Sequence, residues 1–148
     1  MDLSSELLLK RPINIKVVVT EPWKNEVQTQ LQGQINRFDG QLQQLETQGQ
    51  QAILQVQQNP NNQPENVVQQ QINSVQNQVN TKKNEILQKK NQALQQLDQV
   101  QKLEMGQEVG QGQVESFFTI QQGDNLVKKM QVEVLLEDGV IKEIRGDL

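Results

Sequence analysis

The chain contains no cysteine and no histidine. Without cysteine it has no disulfide bond, thiolate nucleophile or thiolate metal ligand, which fits a reducing compartment. Without histidine it lacks the usual general base near neutral pH and the commonest nitrogen ligand of zinc. Only carboxylate, Lys, Ser and Thr chemistry remains, and no catalytic set of these residues is recognisable. We therefore expect a protein that is not an enzyme and uses no cofactor or metal.

Aromatic residues and long apolar runs are also scarce. The 148 residues are 34% hydrophobic and 3% aromatic, which is too little for a thick globular core, so we expect an elongated single domain. Runs such as Val17-Val18-Val19 are far shorter than the about 20 residues of a membrane span, and no signal peptide is apparent. We expect a cytoplasmic protein without a membrane partner. The net charge of −4 disfavours broad nucleic-acid binding, which depends on Lys and Arg contacts to phosphate.

What the chain has in excess is glutamine, with 31 residues. Most lie in two long stretches on either side of residues 59–64, which contain two prolines. In the first stretch the apolar residues recur at alternating three- and four-residue steps when Gly49 takes one core position, and this heptad spacing predicts a helix. Thr20 suits the N-cap and Pro22 the first turn. The residues of this seam are Ile35, Phe38, Leu42, Leu45, Ala52 and Val56, and Val27 and Leu31 extend it backwards with four-residue steps.

The second stretch has a looser seam, with polar steps near its lysines that indicate a stutter. Its residues are Val68, Ile72, Val75, Val79, Ile86, Ala93, Leu97 and Val100. A short double-proline connection at 59–64 joins antiparallel neighbours, so we predict a coiled-coil hairpin, the stalk, over residues 21–106. Gln/Asn-rich tracts are also typical of disordered or prion-like segments, but the sustained apolar periodicity favours the hairpin.

Strand-like patterns flank the stalk. Residues 13–19 alternate with a period of two, and Asp138-Gly139 is typical of a tight hairpin turn. We therefore predict an α+β fold in which one N-terminal and three C-terminal strands form a small antiparallel sheet or open barrel, the base. The predicted C-terminal strands are 114–120, 130–136 and 140–145. The base comprises residues 13–20 and 107–148, with a flexible junction at Gly106, Gly110 and Gly112 and a loosely ordered segment at 1–12.

The order of these segments resembles the bacterial YlqD family. The residues that carry the resemblance are the strand Ile13 to Val19, Thr20-Glu21 opening a long coil, and the closing hairpin from Val132 to Arg145. That family has no assigned biochemical activity, and some members are encoded among genes for ribosomal and ribosome-maturation proteins. The resemblance therefore implies a link to translation and transfers no catalytic residue. The glutamine-rich coil departs from the more charged coils of the family.

Four lysines form the dense basic cluster of the chain, namely Lys82, Lys83, Lys89 and Lys90. They are the candidate surface for a partner or for nucleic-acid phosphates. No aromatic residue is interleaved for base stacking, so a solvated helix face is the favoured interpretation.

Two groups of acidic residues lack calcium-loop spacing and are interpreted as surface carboxylates. They are Glu104, Glu108 and Glu115, and Glu137, Asp138 and Asp147. Trp23 is expected to pack the first arm against the base.

A thin seam of this kind leaves other apolar residues of the stalk uncovered. Gly33 and Gly40 lie seven residues apart on the outer side of the seam, where close contact between chains would explain their missing side chains. In the second stretch, Leu87 and Leu94 offer an alternative register for the apolar seam. We predict a homo-oligomer, with a dimer favoured, formed along the stalk through Gly33, Gly40, Leu87 and Leu94.

Two classes of function follow. The first is a non-enzymatic structural or interaction protein that acts through its coiled-coil stalk, of which a prefoldin-like holdase is a variant. The alternative is a ribosome- or RNA-associated accessory factor that uses the lysine cluster. A steep salt dependence of RNA binding would distinguish the second from the first.

Overall fold

A computed structural model describes residues 6–58 and 64–146 of the chain. It divides into two compact units, which we call the hairpin unit, residues 27–101, and the sheet unit, residues 1–26 and 102–148. The predicted α+β class, with two long helices and one N-terminal and three C-terminal strands, is confirmed. The predicted turn at residues 59–64 lies, except for Pro64, outside the described residues.

The hairpin unit is formed by two helices of equal length, whose ends at residues 21–26 and 102 belong to the sheet unit. α1 spans Glu21–Gln58 and α2 spans Glu65–Lys102, so each has 38 residues and is about 57 Å long. Thr20 caps α1 as predicted, because its Oγ1 accepts a hydrogen bond from the backbone N–H of Trp23 at 3.3 Å. Glu65 lies in the first turn of α2, where a carboxylate is favourable to the helix dipole.

The two helices of this unit run antiparallel. Lys90 Nζ lies 2.6 Å from Asp39 Oδ1, Gly49 packs against Val79, and Leu45 and Ile86 line one groove. Residue numbers within each pair sum to nearly the same value, as an antiparallel pairing requires. Exposure along α1 follows the predicted heptad seam, with Leu31, Ile35 and Gly49 buried. On α2 the less exposed positions include both Ile86 and Lys90, a four-residue step at the place of the predicted stutter.

The sheet unit contains four strands in the order β2-β1-β3-β4. β1 lies next to β2 along its whole length, in antiparallel pairing from Glu6↔Gln121 to Val18↔Glu108. On its other side β1 pairs with β3 in parallel, from Asn14↔Glu133 to Val17↔Leu136. β3 and β4 form an antiparallel hairpin. The strands are β1 Glu6–Val18, β2 Glu108–Gln121, β3 Glu133–Glu137 and β4 Val140–Arg145.

The sheet is therefore mixed and open, whereas the sequence pattern favoured an antiparallel sheet or an open barrel. The reason is the connection between β2 and β3, which contains a short helix, α3 (Leu126–Met130), and crosses β1 before the chain enters β3. Residues 130–132 belong to this connection, so β3 begins three residues later than predicted. Asn125 caps α3 by accepting a hydrogen bond from the backbone N–H of Lys128 at 3.1 Å.

Two further boundaries differ from the predicted ones. Residues 6–12 are part of β1, so the prediction of a loosely ordered segment at 1–12 is wrong for this part of it, and residues 1–5 lie outside the described range. Gly110 and Gly112 lie within β2 rather than in a flexible junction. Glycine is tolerated there because β2 is an edge strand and its pairing shifts register opposite Ile15 and Lys16, where Gln111 is the extra residue of a bulge.

The predicted turn between β3 and β4 is confirmed. Asp138 and Gly139 both have positive φ, 49° and 84°, as the tight two-residue turn of a β-hairpin requires. Asp138 also accepts a hydrogen bond from the Thr20 hydroxyl at 2.6 Å. The residue that caps α1 is thereby attached to the β3–β4 turn within the sheet unit.

Candidate interaction surfaces

The four lysines of the basic cluster do not share one face of the hairpin unit. Lys82 lines one groove between the helices, and the groove on the opposite flank is lined by Gln76 and Ile53 among others. Residues seven apart lie on nearly the same side of a helix, so Lys89 follows Lys82, whereas Lys83 and Lys90 follow Gln76. The lysines therefore form two pairs separated by the seam.

Lys90 has a partner within the hairpin. Its Nζ contacts Asp39 Oδ1 at 2.6 Å, and its side chain is only 26% exposed. Lys82, Lys83 and Lys89 are exposed. A ligand that needs several adjacent phosphate contacts would meet at most two of the four lysines on either flank.

The residues predicted for oligomer contact also fall on two surfaces. Leu87 and Leu94 continue the seven-residue series that begins at Asn80, which lines the same groove as Ile53. Leu94 is 41% exposed, and Leu87 and Ile53 are half-buried. We call this surface, consisting of Ile53, Leu87 and Leu94, the apolar flank. Its members lie on one flank of the seam at separate levels, with Ile53 near Gln76 and Leu87 and Leu94 further along α2.

Gly33 and Gly40 lie on the outer side of α1. A Cβ atom added to either would meet nothing within 4 Å. Thr47 and Leu54 continue the same seven-residue series, and Leu54 is 50% exposed. The structure thus places the two glycines in a series that ends at an exposed leucine, with glutamines around Gly40, and does not bring them together with Leu87 and Leu94.

One face of the sheet carries charged residues in a connected network. Arg145 on β4 donates hydrogen bonds to Glu108 on β2, at 2.7 and 2.8 Å, and to Glu133 on β3 at 3.1 Å. Lys16 Nζ lies 3.2 Å from Glu133, and Glu143 also contacts Arg145. These ion pairs span the sheet between its two edge strands. The Arg145 guanidinium lowers the pKa of both Glu108 and Glu133, and the three carboxylates raise the pKa of Arg145.

The opposite face of the sheet is aliphatic. Arg11 shares this face and is buried at one end of it, and between the two covered ends the strand register places seven aliphatic side chains. Three of them are exposed by half or more: Val114 at 52%, Ile141 at 58% and Ile144 at 51%. We call this surface the aliphatic strip. It consists of Ile13, Ile15, Val114, Val134, Leu136, Ile141 and Ile144.

Within the described part of the sheet unit, other elements cover the two ends of this face. At one end Arg11 is buried, contacts the Phe118 ring at 4.5 Å and donates a hydrogen bond to the Lys129 carbonyl of α3. At the other end Trp23 and Pro22 line a groove of about 590 Å³ together with Val17, Leu136 and others. Sequence reasoning did not identify the aliphatic strip. The alternation of apolar residues in β1 was a signal for it. The exposure of the strip, however, also depends on which residues of the other strands lie on the same face and on how little of that face α3 covers.

Among residues 6–58 and 64–146, no three carboxylates come together in a group that could hold a metal ion. No helix in the same part of the chain is long and apolar enough to cross a membrane.

Comparison with known proteins places these features in a family. The sequence pattern described as YlqD protein matches residues 7–145, nearly the whole chain. The chain belongs to the YlqD family. A crystal structure of a protein of unknown function from Synechococcus sp. WH 8102 is similar to it, with 44% sequence identity and a TM-score of 0.85 over 95% of this chain and 96% of that chain. No curated protein matches the chain. The resemblance to YlqD proteins is thus confirmed, and neither comparison names an activity.

Proposed function

We propose that this YlqD-family protein is a non-enzymatic interaction protein whose helical hairpin acts as a coiled-coil stalk and binds a second copy of the chain, or a client protein, through its apolar flank. The observation that carries the proposal is the exposure of Leu94 one heptad after Leu87, on the flank that also carries Ile53 further along the hairpin. Water contact with such a series is unfavourable, and burial against a partner removes it.

The packing of the hairpin gives the second argument. Its two helices bury few side chains against each other, since within residues 21–58 and 65–102 only Leu31, Ile35, Gly49 and Ala93 are buried. Gly49 contributes no side chain and Ala93 only a methyl group. Long helices gain most of their stability from packing of an amphipathic face, so this hairpin gains from a further helix surface. A second hairpin supplies one, and a homodimer along the stalk is the form of the proposal that we favour.

The alternative, contact with RNA or the ribosome through Lys82, Lys83, Lys89 and Lys90, has less support. These lysines are divided between two flanks and Lys90 is paired with Asp39. A holdase of the prefoldin type would use the apolar flank instead and is a client-binding version of the main proposal.

Site-specific photo-cross-linking tests the proposal. A photoreactive residue is introduced at Leu94 in the full chain, and at Gln95 as a matched control one residue further around the helix, about 100° away. We expect the position of Leu94 to capture a second copy or a client in cells and the control to capture much less. Equal capture at both positions, or capture of RNA that falls steeply with added salt and depends on Lys82 and Lys89, would contradict the proposal.

A further inference from the structure

We propose that the aliphatic strip of the sheet unit is a second self-association surface, on which the sheet of another copy of this chain packs face to face. This surface is separate from the apolar flank of the hairpin. The proposal therefore goes beyond the proposed function and can fail independently of it.

The two faces of the sheet differ in a way that favours burial of one of them. The charged face carries the Arg145 network, in which Glu108, Glu133 and Glu143 are already paired. The aliphatic strip itself carries no charged side chain, and Arg11, which shares its face, is already buried against Phe118 and the Lys129 carbonyl at the α3 end. An antiparallel or mixed sheet with one aliphatic face normally covers it with a helix or a second sheet. Here α3 has only five residues and covers one end.

The exposed apolar surface of the strip makes up part of a dimer contact. Full burial of an aliphatic side chain removes about 100 Å² from water, so three half-exposed and four less exposed side chains present roughly 250 Å². A standard interface buries about 800 Å² on each partner, of which about 57% is apolar, or roughly 450 Å². The strip supplies roughly half of this area. The adjoining apolar walls of the Trp23 groove add to it, and the surrounding polar residues supply the rim.

A second copy is favoured as the occupant because the two ends of the strip carry charges of opposite sign, so an antiparallel copy is complementary to it. α3 places the exposed Lys128 at one end of the strip, beside Lys129 in its ion pair with Asp124, and Glu26 and Asp138 border the groove at the other end. When two sheets pack about a two-fold axis with their strands antiparallel, the basic end of each copy meets the acidic end of the other. Twisted sheets pack in this way at about 10 Å and about −30°.

The absence of cysteine makes a direct test possible. A single cysteine is introduced in the full chain at Ile144, which lies on the strip. The matched control is a cysteine at Val140 on the same strand. Val140 is 69% exposed and lies on the opposite face of the sheet, together with its pairing partner Glu137. Both variants also carry Leu87→Asp and Leu94→Asp, which remove the contact proposed for the hairpin. A short bis-maleimide then reports which position lies near its counterpart in another copy.

We expect the cysteine at position 144 to form cross-linked dimers at micromolar concentration, at least tenfold more than the cysteine at position 140. Adding Ile141→Asp should reduce this yield to that of the control, while circular dichroism shows that the sheet is retained. Equal cross-linking of the two positions would overturn the proposal. So would a cross-link that forms when Leu87 and Leu94 are intact but is absent from these variants, since the sheets would then meet only because the hairpins associate. Capture of a foreign apolar peptide by an otherwise monomeric chain would also overturn it.

Discussion

Gly49 and Val79 lie so close together that a Cβ atom on Gly49 would be 2.8 Å from Cγ2 of Val79. The glycine takes one position of the heptad seam, and the absence of a side chain lets α2 approach α1 at this level. The predicted role of Gly49 as a core residue thus has a physical reason, which also separates it from the two other glycines of α1.

Gly49→Ala should destabilise the hairpin, whereas Gly40→Ala should stabilise it. Alanine in a helix gains about 0.5 to 1 kcal/mol over glycine at either position, but overpacking against the stiff Val79 side chain costs about 1 to 3 kcal/mol. A Cβ atom at Gly40 meets nothing within 4 Å. Thermal unfolding followed by circular dichroism measures both changes. Stabilisation of similar size by the two variants would show that Val79 does not limit the approach.

Arg145→Met should lower the stability of the sheet unit at neutral pH but not in acid. The pKa values of Glu108 and Glu133 are lowered in the folded chain, so their stabilising effect is present above the unfolded value, near 4.5, and is lost as the pH falls through the folded values. The difference between wild type and variant should therefore shrink as the pH falls below about 4.5. Lys142→Met is the control, because its exposed ion pair with Glu137 joins only the two strands of a hairpin. A difference that stays constant from pH 7 to pH 3 would contradict the account.

Lys90→Met should destabilise the hairpin more than Lys83→Met. Lys90 is partly buried and pairs with Asp39, and such a pair contributes about 0.5 to 1 kcal/mol. Lys83 is exposed and has the same side-chain length. Denaturant unfolding of the two variants compares them. Equal effects would mean that the ion pair adds nothing to the hairpin.

Removal of residues 1–20 should abolish protection of both β2 and the β3–β4 hairpin. β1 pairs with β2 on one side and β3 on the other, so without it these two parts of the sheet have no common strand. Hydrogen exchange of residues 108–121 and 133–145 measures the effect. Leu8→Ser, at an exposed position of β1, should leave the protection nearly intact. If the truncated chain keeps its protection in these strands, pairing with β1 is not what stabilises them.

The fold class, the seam of α1 and the turn at Asp138-Gly139 could be predicted because each depends on a local period or a local backbone requirement. The parallel pairing of β1 with β3 could not, because it depends on the crossover that contains α3, and five residues give little helical periodicity. The start of β1 at Glu6 was missed because Leu7, Leu8 and Leu9 form a run without alternation. The separation of the four lysines follows from the position of the seam between Lys82 and Lys83, which the looser pattern of α2 did not fix.

The central claim is that the apolar flank of the hairpin mediates association, and sedimentation equilibrium of the full chain at micromolar concentration tests it most directly. The measurement uses chains carrying Ile144→Asp, so that the sheet contact does not contribute. We expect a dimer, at twice 16.9 kDa, that becomes a monomer when Leu87→Asp and Leu94→Asp are added and stays a dimer with Gln88→Asp and Gln95→Asp. A stable, fully helical monomer near 16.9 kDa before the leucines are changed would contradict the claim.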